Sequence, residues 1–278
     1  MEKWQELEFE FARKLRICDP TEREALYTEA YKRVSALRMK NFQSNDPKER
    51  TSGTSQELVE VFSHMCDVHD RVLEIGCGRG YTCLKLAPFV KSIVGTDVAD
   101  PVLNEAKSLL RSNGVRNATI TKVSACRLSD FFEPCTFDKA ISVDVVEHLH
   151  PDDAEIHYAQ VIELLKPKGQ YIICLPNRLN GPHDCTRTVY PEEKRALGFH
   201  LNETTYTDLS KALRKVGYSK LQGFITKTYP DGAKPLVFSV WRFIVMETVY
   251  SVFSRIPRVE RRFRSLLPIR LIAGKKPR

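Results

Sequence analysis

The chain has 278 residues, 42% of them hydrophobic and 28% charged, with a formal net charge of +8. The length suits one large domain with an elaboration or two small ones, and the composition is that of a soluble globular protein rather than a fibrous or disordered one. The charge is uneven: from Lys227 to the C-terminus about 12 Lys/Arg face about 3 Asp/Glu, so this tail carries about +9 and the rest is near neutral.

The opening stretch MEKWQELEFEFARKLR lacks the long apolar core of a secretory signal and reads as an amphipathic helix. Eight cysteines, at 18, 66, 77, 83, 126, 135, 174 and 185, form no C-x-x-C pair and no zinc-ribbon spacing. Several lie in apolar runs, where a thiol packs as a small hydrophobe, so a reduced, cytoplasmic setting is expected. Residues 1–40 predict two helices broken at Asp19-Pro20, with Thr21 and Glu24 in capping-box spacing. The polar, breaker-rich stretch 41–55 predicts a linker, so residues 1–54 form a helical N-terminal arm. A helix follows to about Cys66. Strands then alternate with helices: strands at 71–76, 92–97, 118–125, 137–144, 170–177 and 220–228, helices at 82–89, 101–114, 154–169 and 203–218. This order predicts an α/β fold over a core of residues 55–228, a mostly parallel sheet covered on both faces. Ligands of such sheets bind at the carboxyl ends of the strands, near the topological switch point. Residues 229–278 predict a basic C-terminal helical insertion and a final strand near 267–277. The apolar run 235–256 is interrupted by Arg242 and Glu247, so it reads as a helix on the core or at an interface, not a spanning one.

The first strand runs into Glu74-Ile75-Gly76-Cys77-Gly78-Arg79-Gly80. Closely spaced glycines let the backbone turn tightly and approach a ligand. The spacing E-x-G-x-G-x-G differs from the G-x-G-x-x-G that aims a helix N-terminus at pyrophosphate. An acid there sits badly beside a diphosphate and suits a cationic ligand bearing an ammonium and a sulfonium. Asp97, ending the second strand, is placed to accept both hydroxyls of a ribose. With VLEIGCGRG, IVGTD, FDKAISVDVVEHL and LLKPKGQYIICLPN, the chain resembles the class I S-adenosylmethionine-dependent methyltransferases over about residues 55–228. The resemblance implies a Rossmann-like seven-stranded sheet with its last strand antiparallel, and S-adenosyl-L-methionine as cofactor. It implies that Glu74, Gly76, Cys77, Gly78 and Gly80 wrap the methionine part, that Asp97 holds the ribose and that Val98 lies by the adenine. Many members carry an acid after the third strand for the adenine amine. Here the stretch is Ser124-Ala125-Cys126, which leaves that contact to the backbone at Ala125. Asp144 ends the fourth strand, where the transferable methyl belongs.

In SVDVVEHLHPDD, Asp144, Glu147 and His148 stand at i, i+3 and i+4, on one face of a helical turn. Three readings stay open: a metal site, an acid/base site, or the polar start of the helix after Pro151. Asp152 and Asp153 read as first-turn helix residues. His183 follows the fifth strand and His200 precedes the next helix. The order D/E-x-x-E-H…P-N…H resembles metal-dependent O-methyltransferases of quinone precursors or of the terminal ribose of small RNAs. That resemblance implies Asp144, Glu147, His148 and His200 as ligands of a divalent metal (magnesium, manganese or zinc), with His183 a rival ligand or general base. His148, His183 and Asp144 are thus the catalytic candidates. Tyr27, Tyr31 and Phe42 are candidates to line the acceptor pocket, and Ser52–Ser55 either touch the cofactor or cap a helix. A third resemblance, to a group of bacterial methyltransferases, rests on P-x-E-R-x-x-L-Y-x-E-A-Y, S-G-T-S and P-N-R-x-x-G-P-H-D and extends into the arm.

The expected activity is O-methylation of a small-molecule hydroxyl on a sugar, phenol or secondary metabolite. N- or C-methylation, an RNA or lipid-head-group enzyme recruited by the basic tail, and a non-catalytic cofactor-binding protein are the alternatives. The tail suggests a peripheral membrane or nucleic-acid contact; the oligomeric state is left open.

Overall fold

Alternation within single strands decides the layering. In the computed structural model, which describes residues 1–41, 54–253 and 267–275 (without side-chain detail at 38–41), neighbouring strand residues go to opposite cores. Val72, Ile141 and Ile172 face one cluster, while Leu73, Ala140 and Tyr171 face the other. Phe42, most of the predicted linker and the basic run 258–265 lie outside the described residues.

The arm is a pair of helices, α1 (Lys3–Ile17) and α2 (Pro20–Asn41), followed by α3 (Gln56–Met65). The core continues as β1 (Arg71–Ile75), α4 (Tyr81–Leu86), β2 (Ser92–Asp97), α5 (Asp100–Ser112), β3 (Ala118–Lys122), β4 (Phe137–Val143), α6 (Pro151–Leu164) and β5 (Leu165–Leu175). Then come α7 (Thr186–Val189), α8 (Tyr206–Lys215), β6 (Lys220–Tyr229), β7 (Gly232–Ser239), α9 (Val240–Phe253) and β8 (Ile269–Gly274). The strand order is β3-β2-β1-β4-β5-β8-β6-β7. Strands β1 to β5 pair parallel, and β8 enters antiparallel between β5 and β6. Helices α3, α4 and α5 cover one face and α6, α8 and α9 the other. The arm builds a third cluster of its own from Leu7, Phe11, Leu15, Tyr27 and Val34, closed by Phe199.

The sheet has eight strands, where seven were expected. The extra strand, β7, pairs with β6 across a two-residue loop, with Tyr229 opposite Gly232. The sequence signal is Pro230-Asp231-Gly232, a hairpin turn that the apolar run after it obscured. Residues 235–239, expected in a helix, are therefore strand. Lys166 to Gly169 likewise belong to β5 rather than to the preceding helix, since Pro167 cannot continue one. In the arm, Asp19 rather than Thr21 holds the start of α2: its Oδ1 accepts from the Thr21 N–H at 2.9 Å, with Pro20 as the first helical residue. Ser55 caps α3, accepting from the Leu58 N–H at 3.2 Å.

Candidate active site

The switch point lies between β1 and β4, and a cleft of about 650 Å³ opens there. On one side it is lined by Gly76, Asp97, Val98, Ser124 and Ala125, the residues that follow β1, β2 and β3. On the other it is lined by Asp144, Val145, His148 and Leu149 after β4, and by Tyr27 and Tyr31 of α2.

The glycine loop is shaped by close approach. Gly76 has φ +70°, and a Cβ there would meet Val145 Cγ2 at 2.4 Å. Gly80, at φ +76°, caps α4, and a Cβ there would meet Ala106 Cβ at 2.9 Å. Each position combines the left-handed region with contact, so a side chain is excluded twice over. The Gly78 N–H donates to Asp97 Oδ2 at 3.0 Å and the Ala99 N–H to Oδ1 at 3.0 Å. This fixes the carboxylate at the cleft while leaving lone pairs for further donors. Burial raises its pKa; the backbone donors oppose that.

The nine expected cofactor residues divide into two groups. Gly76, Asp97, Val98, Ala125 and Asp144 line the cleft. Glu74, Cys77, Gly78 and Gly80 build the loop beneath. Glu74 turns away from the cleft and accepts from Cys83 Sγ of α4 at 2.8 Å; burial pushes its carboxyl up to about 7. Cys77 is buried among the core residues between α3 and α5. The expectation that Glu74 faces a cationic ligand thus gives way to a support role.

Asp144 has φ +52°, and its N–H donates to the Cys174 carbonyl at 2.9 Å. The helical turn assumed for Asp144, Glu147 and His148 does not form: a 3-10 turn covers Val146–His148 only. Asp144 is exposed at the cleft that it lines. Partial desolvation pushes its carboxyl up to about 6, opposed by His200 nearby.

Glu147, His148 and His200 come together, with one potential ligand atom from each lying within 4.8 Å of the others. Asp144 stands outside this group. His148 Nδ1 lies 3.2 Å from the Phe199 carbonyl, so in the tautomer that donates there, Nε2 is the acceptor nitrogen. His200 Nδ1 lies 2.8 Å from Glu203 Oε1, with the same consequence. The two imidazoles meet edge to face at 4.8 Å. Glu147 is fully buried, and neither carboxylate oxygen has a hydrogen-bond partner. Burial, followed by the charge of Asp144, raises its pKa. His183 goes elsewhere. Its Nε2 is 3.0 Å from both the Asn177 carbonyl and Asn180 Oδ1, holding the turn after β5, and it does not line the cleft. Neither ligation nor proton removal by His183 fits that placement.

Glu203 and His157 escaped the sequence reading, and Tyr27, expected only to line the pocket, has a second role. Glu203 binds His200 and also accepts from the His183 N–H at 2.7 Å, and the H-x-x-E spacing was its signal. Tyr27 accepts from the His150 N–H at 2.6 Å and donates to Asp153 Oδ2 at 2.9 Å, which latches the arm to the start of α6. His157, fully buried, has Nδ1 2.8 Å from the Ala125 carbonyl and Nε2 2.7 Å from the Tyr171 hydroxyl.

A family profile described as a methyltransferase domain matches residues 72–169. The chain is 25% identical over 162 residues to a probable S-adenosylmethionine-dependent methyltransferase of Mycolicibacterium smegmatis, covering 58% of this chain and 56% of the relative. The chain carries a class I S-adenosylmethionine-dependent methyltransferase domain. It is also 28% identical over 148 residues to a ubiquinone biosynthesis O-methyltransferase of Mesorhizobium japonicum, covering 46% of this chain and 57% of the relative. The chain thus spans a little over half the length of these curated relatives. Among solved structures, the fold matches the Burkholderia thailandensis 1,6-didemethyltoxoflavin-N1-methyltransferase, seen with bound 1,6-didemethyltoxoflavin and S-adenosylhomocysteine. The TM-score is 0.58 at 16% identity, covering 94% of this chain and 92% of that one. The cleft lined by Gly76, Asp97 and Ala125 lies within the matched domain. No helix among the described residues is long and apolar enough to cross a membrane.

Proposed function

We propose that the protein methylates an oxygen of a small molecule that presents two adjacent oxygens, as a phenol or vicinal diol does. Glu147, His148 and His200 would hold a divalent cation at the acceptor end of the cleft. The observation that carries this reading is Glu147, a fully buried carboxylate with no hydrogen-bond partner, beside two imidazoles whose Nδ1 atoms are already engaged. An unpaired buried acid is costly, and a cation removes the cost. One oxygen and two nitrogen donors suit manganese or zinc, and magnesium with water completing its shell. A bound cation would lower the pKa of the acceptor hydroxyl. The relationship to ubiquinone biosynthesis O-methyltransferases supports oxygen as the acceptor atom.

The protein's own part is positioning and proton removal. The acceptor oxygen bonds to the methyl carbon as the sulfur–methyl bond breaks in line, and its proton passes to a base. Asp144 lines the cleft with a carboxyl near 6, close enough to neutrality to take that proton once His148 is engaged as a ligand. Without a metal, His148 Nε2 takes that role. Tyr27 and Tyr31 wall the acceptor end and exclude water. Calorimetric titration with S-adenosylmethionine tests the cofactor, and elemental analysis with chelator sensitivity tests the metal. Binding of the cofactor by a metal-free, chelator-insensitive enzyme would leave the methyltransferase and remove the cation.

A further inference from the structure

Helix α9 is apolar on both sides. Its inner face packs Phe243 and Tyr250 on the core and buries Glu247, whose carboxylate accepts from Asn177 Nδ2 and from the Tyr206 and Thr207 N–H groups. Its outer face carries Trp241, Val245, Thr248 and Val252 at i, i+4, i+7 and i+11, one stripe of the helix. Trp241, Val245, Val252 and the neighbouring Phe253 are 47 to 64% exposed. The stripe borders a groove of about 450 Å³ between α9 and the β6–β7 hairpin, lined by Ile225, Phe238, Phe243 and Met246 with Arg242 at its rim.

The charge on this surface is mainly positive. Arg242 lies 5.3 Å from the Phe238 ring and 5.8 Å from Trp241. Lys227 and Lys234 share the groove-facing side of the hairpin with Ile225, although Asp231 offsets Lys234. In the sequence directly after α9, residues 254–265, which lie outside the described residues, hold five Arg against one acid, Glu260. Aliphatic and indole side chains beside cations match the depth profile of a bilayer surface, where Trp and apolar groups enter the interface and cations meet anionic headgroups. A nucleic acid would use the cations and leave Val245 and Val252 in water.

We propose that the outer face of α9, with the adjoining hairpin, is a docking surface for an anionic lipid membrane. The helix lies in the interface without crossing it, which agrees with the lack of a spanning helix among the described residues. Because β6 and β7 form the sheet edge opposite β3, docking there leaves the cofactor cleft, at the ends of β1, β2 and β4, open.

The test uses the full-length protein with Trp4→Phe, which leaves Trp241 as its one tryptophan. Expected is a blue shift of Trp241 emission, with co-sedimentation, on phosphatidylglycerol-containing vesicles and not on pure phosphatidylcholine. Raising the salt well above physiological strength should reverse it, and Val245→Asp should weaken it about tenfold or more with unchanged circular dichroism. Equal binding to neutral vesicles, no binding to either, or binding to single-stranded RNA without vesicle binding would overturn the proposal. So would a concentration-dependent dimer that Val245→Asp abolishes while vesicles have no effect.

Discussion

Replacing Glu147 with methionine separates a structural acid from a ligand. Glu147 is fully buried, neither oxygen is bonded, and burial raises its pKa, with the charge of Asp144 adding to the shift. A buried, unsatisfied polar group costs about 1–3 kcal/mol, and methionine fills similar space without it. In chelator, E147M should therefore be more stable than the wild type by about 1–3 kcal/mol, a rise in Tm of several degrees for a chain of this size. Added manganese or zinc at about a thousand times Kd stabilises the wild type by about 4.1 kcal/mol, more than that difference, and leaves E147M unmoved. The order of the two melting curves should thus reverse between chelator and metal. Because binding expels the carboxyl proton, the wild-type metal response should also weaken as pH falls. Differential scanning calorimetry under both conditions reads all three effects. If E147M is less stable than the wild type in chelator, Glu147 has a structural role within the fold. If no divalent metal shifts the wild type, the ligand role is gone.

Three further outcomes are expected. The Asp144 carboxyl lies near 6 in the folded protein against 3.8 as its ordinary value, so the folded state holds its proton more tightly. Its stabilising contribution is complete below pH 4 and lost as pH rises through 6; D144N should match the wild type in Tm at pH 4, exceed it at pH 7.5, and lose turnover. A pH-independent Tm difference would contradict this. Gly76→Ala should abolish S-adenosylmethionine binding, since the new Cβ would strike Val145 at 2.4 Å with φ at +70°; retained calorimetric affinity would show that the loop relaxes. His157→Leu strands the Ala125 carbonyl and the Tyr171 hydroxyl, costing about 2–4 kcal/mol in denaturant unfolding. It should also raise the Kd for S-adenosylmethionine, whereas His157→Gln, able to donate to one partner and accept from the other, restores both. Wild-type affinity in H157L would break the link between His157 and the cleft.

The parallel core was readable because its strands are short apolar runs closed by acids or glycines, and tertiary packing had little to overrule. The ends were harder. Pro230-Asp231-Gly232 marks a hairpin, but the apolar run after it has no clear period and predicts a helix where Leu236 and Phe238 lie on β7. The site divides in the same way. Gly76 and Asp97 announce themselves by local chemistry. His200 was placed in the cluster by order along the chain, and the fold brings it there from 52 residues beyond His148. His183 had the same signal and a different fate, because the turn after β5 spends its ring on Asn177 and Asn180. Spacing cannot show which way a loop histidine points. Asp144 misled for another reason: its left-handed backbone breaks the helical phase that i, i+3, i+4 presupposes.

The buried acids of this protein argue about one another. Glu8 accepts from the Phe199 N–H and fastens the arm to the loop before α8. Glu203 holds both His183 and His200, Glu247 holds Asn177 and the first turn of α8, and Asp153 holds Tyr27. Each secures a segment that borders the acceptor end, and each has its desolvation offset by donors in fixed positions. The same elements that supply those donors surround Glu147, and its own carbonyl accepts from the Asn202 N–H at 2.9 Å. Its carboxylate alone, among these, is left without a donor on either oxygen. On the function proposed above, that bare carboxylate is what a cation would bind, and the two imidazoles beside it, turned by Glu203 and by the Phe199 carbonyl, would share the cation with it.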